Sequence, residues 1–263
     1  MRSNWSDWSS IGVKLFKKRF TAKKFNSVFF SIRSNKLCVT SNKIFFMEFR
    51  TFQQLKKYRF VLGSTSPRRL EILGELGVTG IEVVPSNFEE NVTKEGKSPE
   101  EYVLLTAQGK SDSVVEQVES KRAAPHLELQ PTIILASDTV VVCNGQIFEK
   151  PDNPEQQFEN LKYFRTHRDV NVKTAVIVTK IEGANKTTKQ NVVNTKLEFD
   201  QELLDDFLKA YVASGEGLAV AGGFKVQGMG GLLWLDMMGE YHNGVGLPFK
   251  GTYALLDAVL NAR

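Results

Sequence analysis

The chain has 263 residues, 41% of them hydrophobic and 10% aromatic, a formal net charge of +4, two cysteines and three histidines. That length suits one large domain or two small ones, and no run approaches the ~18 apolar residues of a membrane span. Cys38 and Cys143 lie far apart and His126, His167 and His242 fall at no metal-ligand spacing, which excludes a disulfide framework and a Cys/His metal centre, leaves any metal to carboxylates and points to a reducing compartment such as the cytoplasm.

Charge is uneven along the chain. Up to Met47 ten basic residues face a single acid, Asp7, so this head carries +9 and the remainder −5. The basic pI is therefore no argument that the folded body binds nucleic acid. The head is rich in Ser, Asn, Lys and Phe and has no clean periodicity. Three readings stay open for it: an organellar presequence, which would place the protein in the mitochondrion; a surface tail touching anionic partners; or poorly ordered chain without function. Residues 1–57 are read as this basic extension and residues 58–263 as the folded domain. A start at Met47 would leave a self-sufficient body.

From residue 58 apolar runs alternate with helical patterns. Residues 59–63 read as a buried strand. A helix from Pro67 to about Leu76 follows, with Ser66 as N-cap, Pro67 at the first position and Gly77 as C-cap. Residues 81–84 form a short strand, residues 87–97 an acidic segment, and a helix runs from Pro99 to about Val118 after the capping Ser98. Residues 120–130 read as a solvent loop. Residues 132–136 and 139–143 read as two strands, and Asn144-Gly145 is the dipeptide a two-residue hairpin favours because both positions need positive φ. Residues 146–148 return as the partner strand. Asn153, Pro154 and Gln156 start a helix to about Phe164. Strands at 172–181 and 192–199 are joined by a polar turn around 183–189, and Asp200 caps a helix carrying Leu203, Leu204, Phe207, Leu208 and Tyr211. A glycine-dense loop, 215–231, leads to a strand at 232–237, and Pro248 precedes a last helix ending at Leu260. This alternation, with hairpins among the crossovers, indicates an α/β protein: a mixed twisted sheet with flanking helices.

The most informative stretch is FVLGSTSPRRLEIL, residues 60–73. Backbone N–H groups, the hydroxyls of Ser64, Thr65 and Ser66 and the guanidinium groups of Arg68 and Arg69 crowd into one turn, as a phosphate-bearing ligand requires. Positive charge at a helix N-terminus opposes the macrodipole, so two arginines there cost stability unless an anion compensates; the plainer alternative pairs them with Glu71 or Glu75. Asp138, set where one strand ends and another begins, either holds Mg²⁺ or forms an Asx turn. Lys150, fixed by Pro151, and Lys110, one turn beyond Thr106, are candidate phosphate ligands or ordinary surface lysines. Of the adjacent Glu89 and Glu90, at most one enters a site. Gln227, flanked by glycines, either reads a base edge or orients a water, or else hydrogen-bonds within its turn. Together this inventory fits metal-assisted chemistry on a polyphosphate better than acyl transfer or redox work.

The sequence resembles the Maf family of nucleoside triphosphate pyrophosphatases, the septum-formation-inhibitor-like proteins, which share a fold type with the inosine triphosphate pyrophosphatases. The resemblance is carried by LGSTSPRRLEIL at 62–73, VVPSNFEEN at 83–91, AQGK at 107–110, ASDTVV at 136–141 and EKP at 149–151. It continues through the strand with Thr174, YVASGE at 211–216, AGGFKVQGMGG at 221–231 and GEYHNGVGLP at 239–248. It covers the chain from about residue 58 onward. The order and spacing of these motifs make it specific. The resemblance implies an inosine-triphosphate-pyrophosphatase-like fold, a homodimer, and hydrolysis of a nucleoside triphosphate to monophosphate and pyrophosphate with a divalent cation, Mg²⁺ or Mn²⁺. It implies functional roles for Ser64, Arg69, Glu90, Lys110, Asp138, Lys150 and Gln227, to which the reading of the phosphate corner adds Arg68. In that scheme Ser64, Arg68, Arg69 and Gln227 bind substrate, Glu90 and Asp138 hold the metal, and Lys110 and Lys150 assist at the phosphates. The preferred substrate would be a pyrimidine or non-standard nucleotide. The chain departs from the family pattern at Ala219-Val220, where Asp-Lys is usual, at irregular sequence around 165–170, at Glu240 and at Gly244. Two rivals follow: a catalytically silent homologue that binds nucleotides or a partner, and a nucleic-acid-binding module driven by the basic head.

Overall fold

The computed structural model describes residues 50–122 and 130–262, with side chains placed for all of these but residues 121 and 122. The head up to residue 49, with Cys38, and the 123–129 part of the expected loop, with His126, lie outside the described residues. Seven strands form one mixed sheet: β1 (Arg59–Leu62), β2 (Ile81–Val83), β3 (Thr132–Cys143), β4 (Gln146–Phe148), β5 (Asp169–Glu182), β6 (Asn185–Phe199) and β7 (Trp234–Met238). Their order is β2-β1-β3-β5-β6-β7, with β4 also pairing β3. β1 runs parallel to β2 and β3, and every other pairing is antiparallel. The helices are α1 (Arg50–Leu55), α2 (Pro67–Glu75), α3 (Pro99–Arg122), α4 (Pro154–His167), α5 (Asp205–Ala213), α6 (Tyr241–Val245) and α7 (Phe249–Leu260). No helix among the described residues is long and apolar enough to cross a membrane.

Alternation along β3 organises the core. Ile133 and Leu135 pack with Leu73 of α2 and Leu256 of α7. Val141 and Cys143 continue the same face against Leu161 and Phe164 of α4 and Leu208 of α5. The even-numbered residues point the other way, where Ile134 meets Val114 and Val140 meets Val103, both on α3. Between the two apolar patches of the first face, positions 137 and 139 carry hydroxyls, and there the core gives way to polar packing.

Several sequence expectations change. Residues 132–143 are one continuous strand, so Asp138 lies in mid-strand, opposite Ala175, and not at a strand end. It is reachable because β1 pairs β3 only as far as Leu135, where Gly63 donates its last ladder bond at 2.7 Å. From there to Val141, where β4 begins pairing, that edge of β3 is open. The polar turn around 183–189 is mostly strand, because the antiparallel ladder runs on to Glu182↔Asn185. α5 starts at Asp205, so Leu203 and Leu204 precede it, and Asp200 accepts from Glu202 N in an Asx turn and caps nothing. β7 starts at Trp234, because Leu232 and Leu233 belong to a 3₁₀ turn. Ser66 occupies the N-cap of α2 without a capping side-chain bond. Ser98 and Glu101 do form the reciprocal capping box, and Asn144 and Gly145 both take positive φ as a hairpin turn of this kind demands. Residues 50–57, grouped above with the extension, pack on the body: buried Thr51 donates to Asp257 at 2.6 Å and the Phe52 and Tyr253 rings lie 5.6 Å apart.

Candidate active site

A cleft of about 810 Å³ opens at the unpaired stretch of β3, lined by the Ser64–Arg69 corner, Glu90, Lys110, Asp138, Glu149, Lys150 and the loop from Ala219 to Gln227. Five cations (Arg68, Arg69, Lys110, Lys150, Lys225) face it against three carboxylates (Glu90, Asp138, Glu149). That excess suits an anionic ligand.

Arg69 enters from one face of the sheet. Its Nη1 donates to the Ser137 carbonyl at 2.9 Å, the ladder acceptor freed where β1 departs, and to Ser64 Oγ at 3.1 Å. Nη2 donates to Thr139 Oγ1 at 3.0 Å and Nε to the Gly246 carbonyl at 3.1 Å. Burial lowers the Arg69 pKa, and the nearby Asp138 carboxylate opposes that shift. Arg69 thus ties α2, β3 and the turn after α6 together at the floor of the cleft. Ser64 Oγ also accepts from Ser66 N at 3.2 Å, so the corner holds itself in shape.

Lys110 enters from the opposite face, on α3. Its ammonium lies 2.7 Å from Asp138 Oδ1 and 2.9 Å from Glu90 Oε1. Asp138 points to α3 because it is an even-numbered position of β3, while Ser137 and Thr139 point to Arg69; neighbouring residues of one strand thereby serve opposite halves of the site. Two carboxylate oxygens within hydrogen-bonding distance of one cation form a donor pair that a hard divalent ion can also use when substrate phosphates and water complete its shell. No group of three or more His, Cys, Asp or Glu residues able to hold an ion by itself occurs among the described residues.

The remaining cations are differently placed. Arg68 is half-buried, its Nε has no hydrogen-bond partner, and its pKa is lowered by burial against the opposing pull of Glu71. Lys150 is exposed and makes no ion pair among the described residues. Glu89 stays out of the cleft and lines a separate surface hollow, so Glu90 alone of the adjacent pair lines the cleft. Gln227 reaches the cleft from the glycine loop as an exposed side chain.

Three participants lay inside the recognised motifs without being singled out. Thr139 accepts from Arg69 and lies 3.0 Å from Thr174 Oγ1. Glu149 accepts from Tyr102 at 2.7 Å and from Lys94 at 2.6 Å. Burial acts to raise the Glu149 pKa, but those two bonds and the charges of Lys94 and Lys110 together outweigh it and hold the carboxyl below its ordinary value. Lys225 is the third. Only a basic residue inside an otherwise neutral glycine motif could have drawn attention to it.

The Maf-like protein family model matches residues 59–259. The dTTP/UTP pyrophosphatase of Schizosaccharomyces pombe is 33% identical over 222 residues, covering 82% of this chain and 90% of that protein. The dTTP/UTP pyrophosphatase of Saccharomyces cerevisiae is 39% identical over 215 residues, with 77% and 93% covered. That of Shigella boydii is 35% identical over 198 residues, with 74% and 90% covered. The structure of the Staphylococcus aureus Ham1 protein aligns over 54% of this chain and 72% of that one at 14% identity and a TM-score of 0.32, too distant to bear on the site.

Proposed function

Since this chain belongs to the Maf family, we propose that its cleft hydrolyses a nucleoside triphosphate, a pyrimidine or non-standard one, to the monophosphate and pyrophosphate. The relatives, dTTP/UTP pyrophosphatases by name, favour thymine and uracil nucleotides. The observation that carries the reading is the convergence on one strand segment: Arg69 from one face, Lys110 with Asp138 and Glu90 from the other, and Arg68 beside them with a buried donor awaiting an acceptor.

Glu90 and Asp138 are the residues that would hold Mg²⁺ or Mn²⁺. Such an ion supplies charge neutralisation at the α-phosphate and a more acidic water. The protein's own part is orientation. Helix α2 presents its N-terminal N–H groups and the Ser64–Ser66 hydroxyls to the phosphates, and Arg68 and Lys150 neutralise the leaving pyrophosphate. Water oxygen bonds to the α-phosphorus, the bond from that phosphorus to the bridging oxygen breaks, and the electron pair leaves with pyrophosphate. A carboxylate of the Glu90–Asp138 pair accepts the water's proton, and Lys110, bonded to both, keeps them in place. A pyrophosphate-release assay over a nucleotide panel with Mg²⁺ or Mn²⁺ tests the reading. Turnover of pyrimidine triphosphates is expected; binding without turnover of any nucleotide would favour the silent homologue.

A homodimer belongs to the same reading. It is supported by Leu232, Leu235 and Met238, all more than half exposed at the β7 edge of the sheet. Sedimentation giving a monomer at micromolar concentration would contradict it.

A further inference from the structure

The cleft has two chemically unlike walls. The corner at Ser64–Arg69 offers hydroxyls, helix N–H groups and guanidinium, the partners of phosphate. The facing loop offers Ala219, Val220, Ala221 and Phe224, and only two polar side chains, Lys225 and Gln227. A phosphate gains nothing from an apolar wall. A flat heterocycle does, and it needs a small number of placed donors and acceptors along its edge.

The loop is built to hold those two groups still. Lys225 N donates to the Tyr211 hydroxyl at 3.1 Å. The Glu216 carboxylate accepts from Met229 N at 3.1 Å and Gly230 N at 2.9 Å. Gly230 must be glycine, because a Cβ there would lie 2.5 Å from the Lys225 carbonyl oxygen. Gly222 and Gly223 both take positive φ, and Gln157, fully buried, donates to the Gly223 carbonyl at 2.7 Å. The backbone around Lys225 is thus fastened from several sides. The Lys225 residue is half-buried, and its ammonium makes no hydrogen bond or ion pair among the described residues; neither does the Gln227 amide. A cation that faces the cleft without a protein partner is free to donate to the acceptor a ligand supplies.

We propose that Lys225 is the specificity-determining donor of this site, its ammonium hydrogen-bonding the 4-carbonyl of the nucleobase and selecting 4-oxopyrimidines, uracil and thymine, over cytosine. The proposal rests on the triphosphate reading of the same cleft. An ammonium only donates, whereas an amide both donates and accepts. Uracil and thymine offer carbonyl acceptors on either side of an N3–H donor, so Lys225 meets a carbonyl while Gln227 accepts from N3–H. Cytosine places an amino donor at position 4 and a bare acceptor at N3, leaving the ammonium facing a second donor.

The test compares wild type, Lys225→Met and Lys225→Arg with UTP and CTP in the presence of Mg²⁺, reading both kcat/KM from pyrophosphate release and Kd from calorimetry. Methionine keeps the length of the side chain and removes the donor; arginine keeps a donor and the charge. Wild type is expected to prefer UTP. Lys225→Met should lower that preference about tenfold or more, with most of the loss on UTP, and Lys225→Arg should keep most of it. An equal fall for UTP and CTP, an unchanged ratio in Lys225→Met, or no preference in wild type overturns the proposal. A wild type that binds UTP over CTP yet turns over neither sinks the catalytic reading instead, and the Kd ratio of Lys225→Met then decides the role of Lys225.

Discussion

On the corner wall of the cleft Arg69 is committed to four protein acceptors and Lys110 to two carboxylates. On the glycine-loop wall Lys225 and Gln227 have no protein partner among the described residues, although the backbone beneath them is fastened by Tyr211, Glu216 and Gln157. The difference separates two tasks. Arg69 and Lys110 are held in advance by the fold, which spares reorganisation during reaction, while Arg68 in the same corner keeps a buried donor open for phosphate. Groups that choose among ligands are aimed but left unbonded, so a matching edge gains what a mismatched edge cannot.

The largest effect is expected where the comparison is sharpest. Asp138→Asn keeps the size of the side chain and removes a charge held 2.7 Å from Lys110. Steady-state kinetics should show kcat lower by about a thousandfold, in line with losing one essential electrostatic group, while circular dichroism stays that of the folded protein. Activity retained at saturating metal would move catalysis away from the corner wall.

Arg69→Lys should damage both stability and rate. Lysine cannot serve acceptors in four directions, so buried carbonyls of the Ser137 and Gly246 kind lose their donor. At about 1–3 kcal/mol for each unsatisfied group, a loss of roughly 3 kcal/mol is expected, which is about 6–12 °C in Tm for a domain of this size. kcat should fall about tenfold or more. Lys225→Met on the other wall should leave Tm within about 1 °C of wild type, as expected for surface substitutions. Equal Tm losses from the two substitutions would erase the distinction between the walls.

Glu216→Gln probes the fastening of the loop. Its carboxylate holds two backbone donors, and an amide retains one acceptor oxygen for them. KM for pyrimidine triphosphates should rise a few-fold with kcat nearly unchanged, since charge-assisted bonds exceed neutral ones by about twofold. A change in kcat alone would mean that the loop acts on chemistry and not on recognition.

The two walls also differed in how much the sequence disclosed. Proline at the first turn of α2, the Ser64 and Ser66 hydroxyls and two adjacent arginines are local signals, so the phosphate corner was legible. The fate of Arg69 was not, because its acceptors at 137, 139 and 246 become neighbours only through sheet pairing. Asp138 looked like a strand end because Ser137 and Thr139 interrupt an apolar run. In the fold those hydroxyls face Arg69 and the ladder with β5 continues through them. In the glycine loop the sequence singled out Gln227 but not Lys225, whose side chain is also left without a partner among the described residues. That depends on contacts with Tyr211 and Gln157, which sit on separate helices.

The smallest expected effect concerns the third side of the cleft, where Glu149 bonds Lys94 of the segment carrying Glu90 and Tyr102 of α3. The carboxyl pKa is held down in the folded state, so the linked stability is fully present above the unfolded carboxylate value and is lost as pH falls through the folded one. The Glu149 side chain is half exposed, and solvent screening limits the gain to about 1 kcal/mol or less. Glu149→Gln should therefore melt slightly below wild type at pH 7, and the gap should close as pH is lowered through the carboxylate range. Because the Lys94 bond restrains the segment that presents Glu90 opposite Asp138, the same variant should need a few-fold more metal for half-maximal rate while its saturated kcat stays close to wild type. A Tm gap that widens toward acid would reverse the sign of the linkage and show that Glu149 is tolerated in the fold rather than stabilising it.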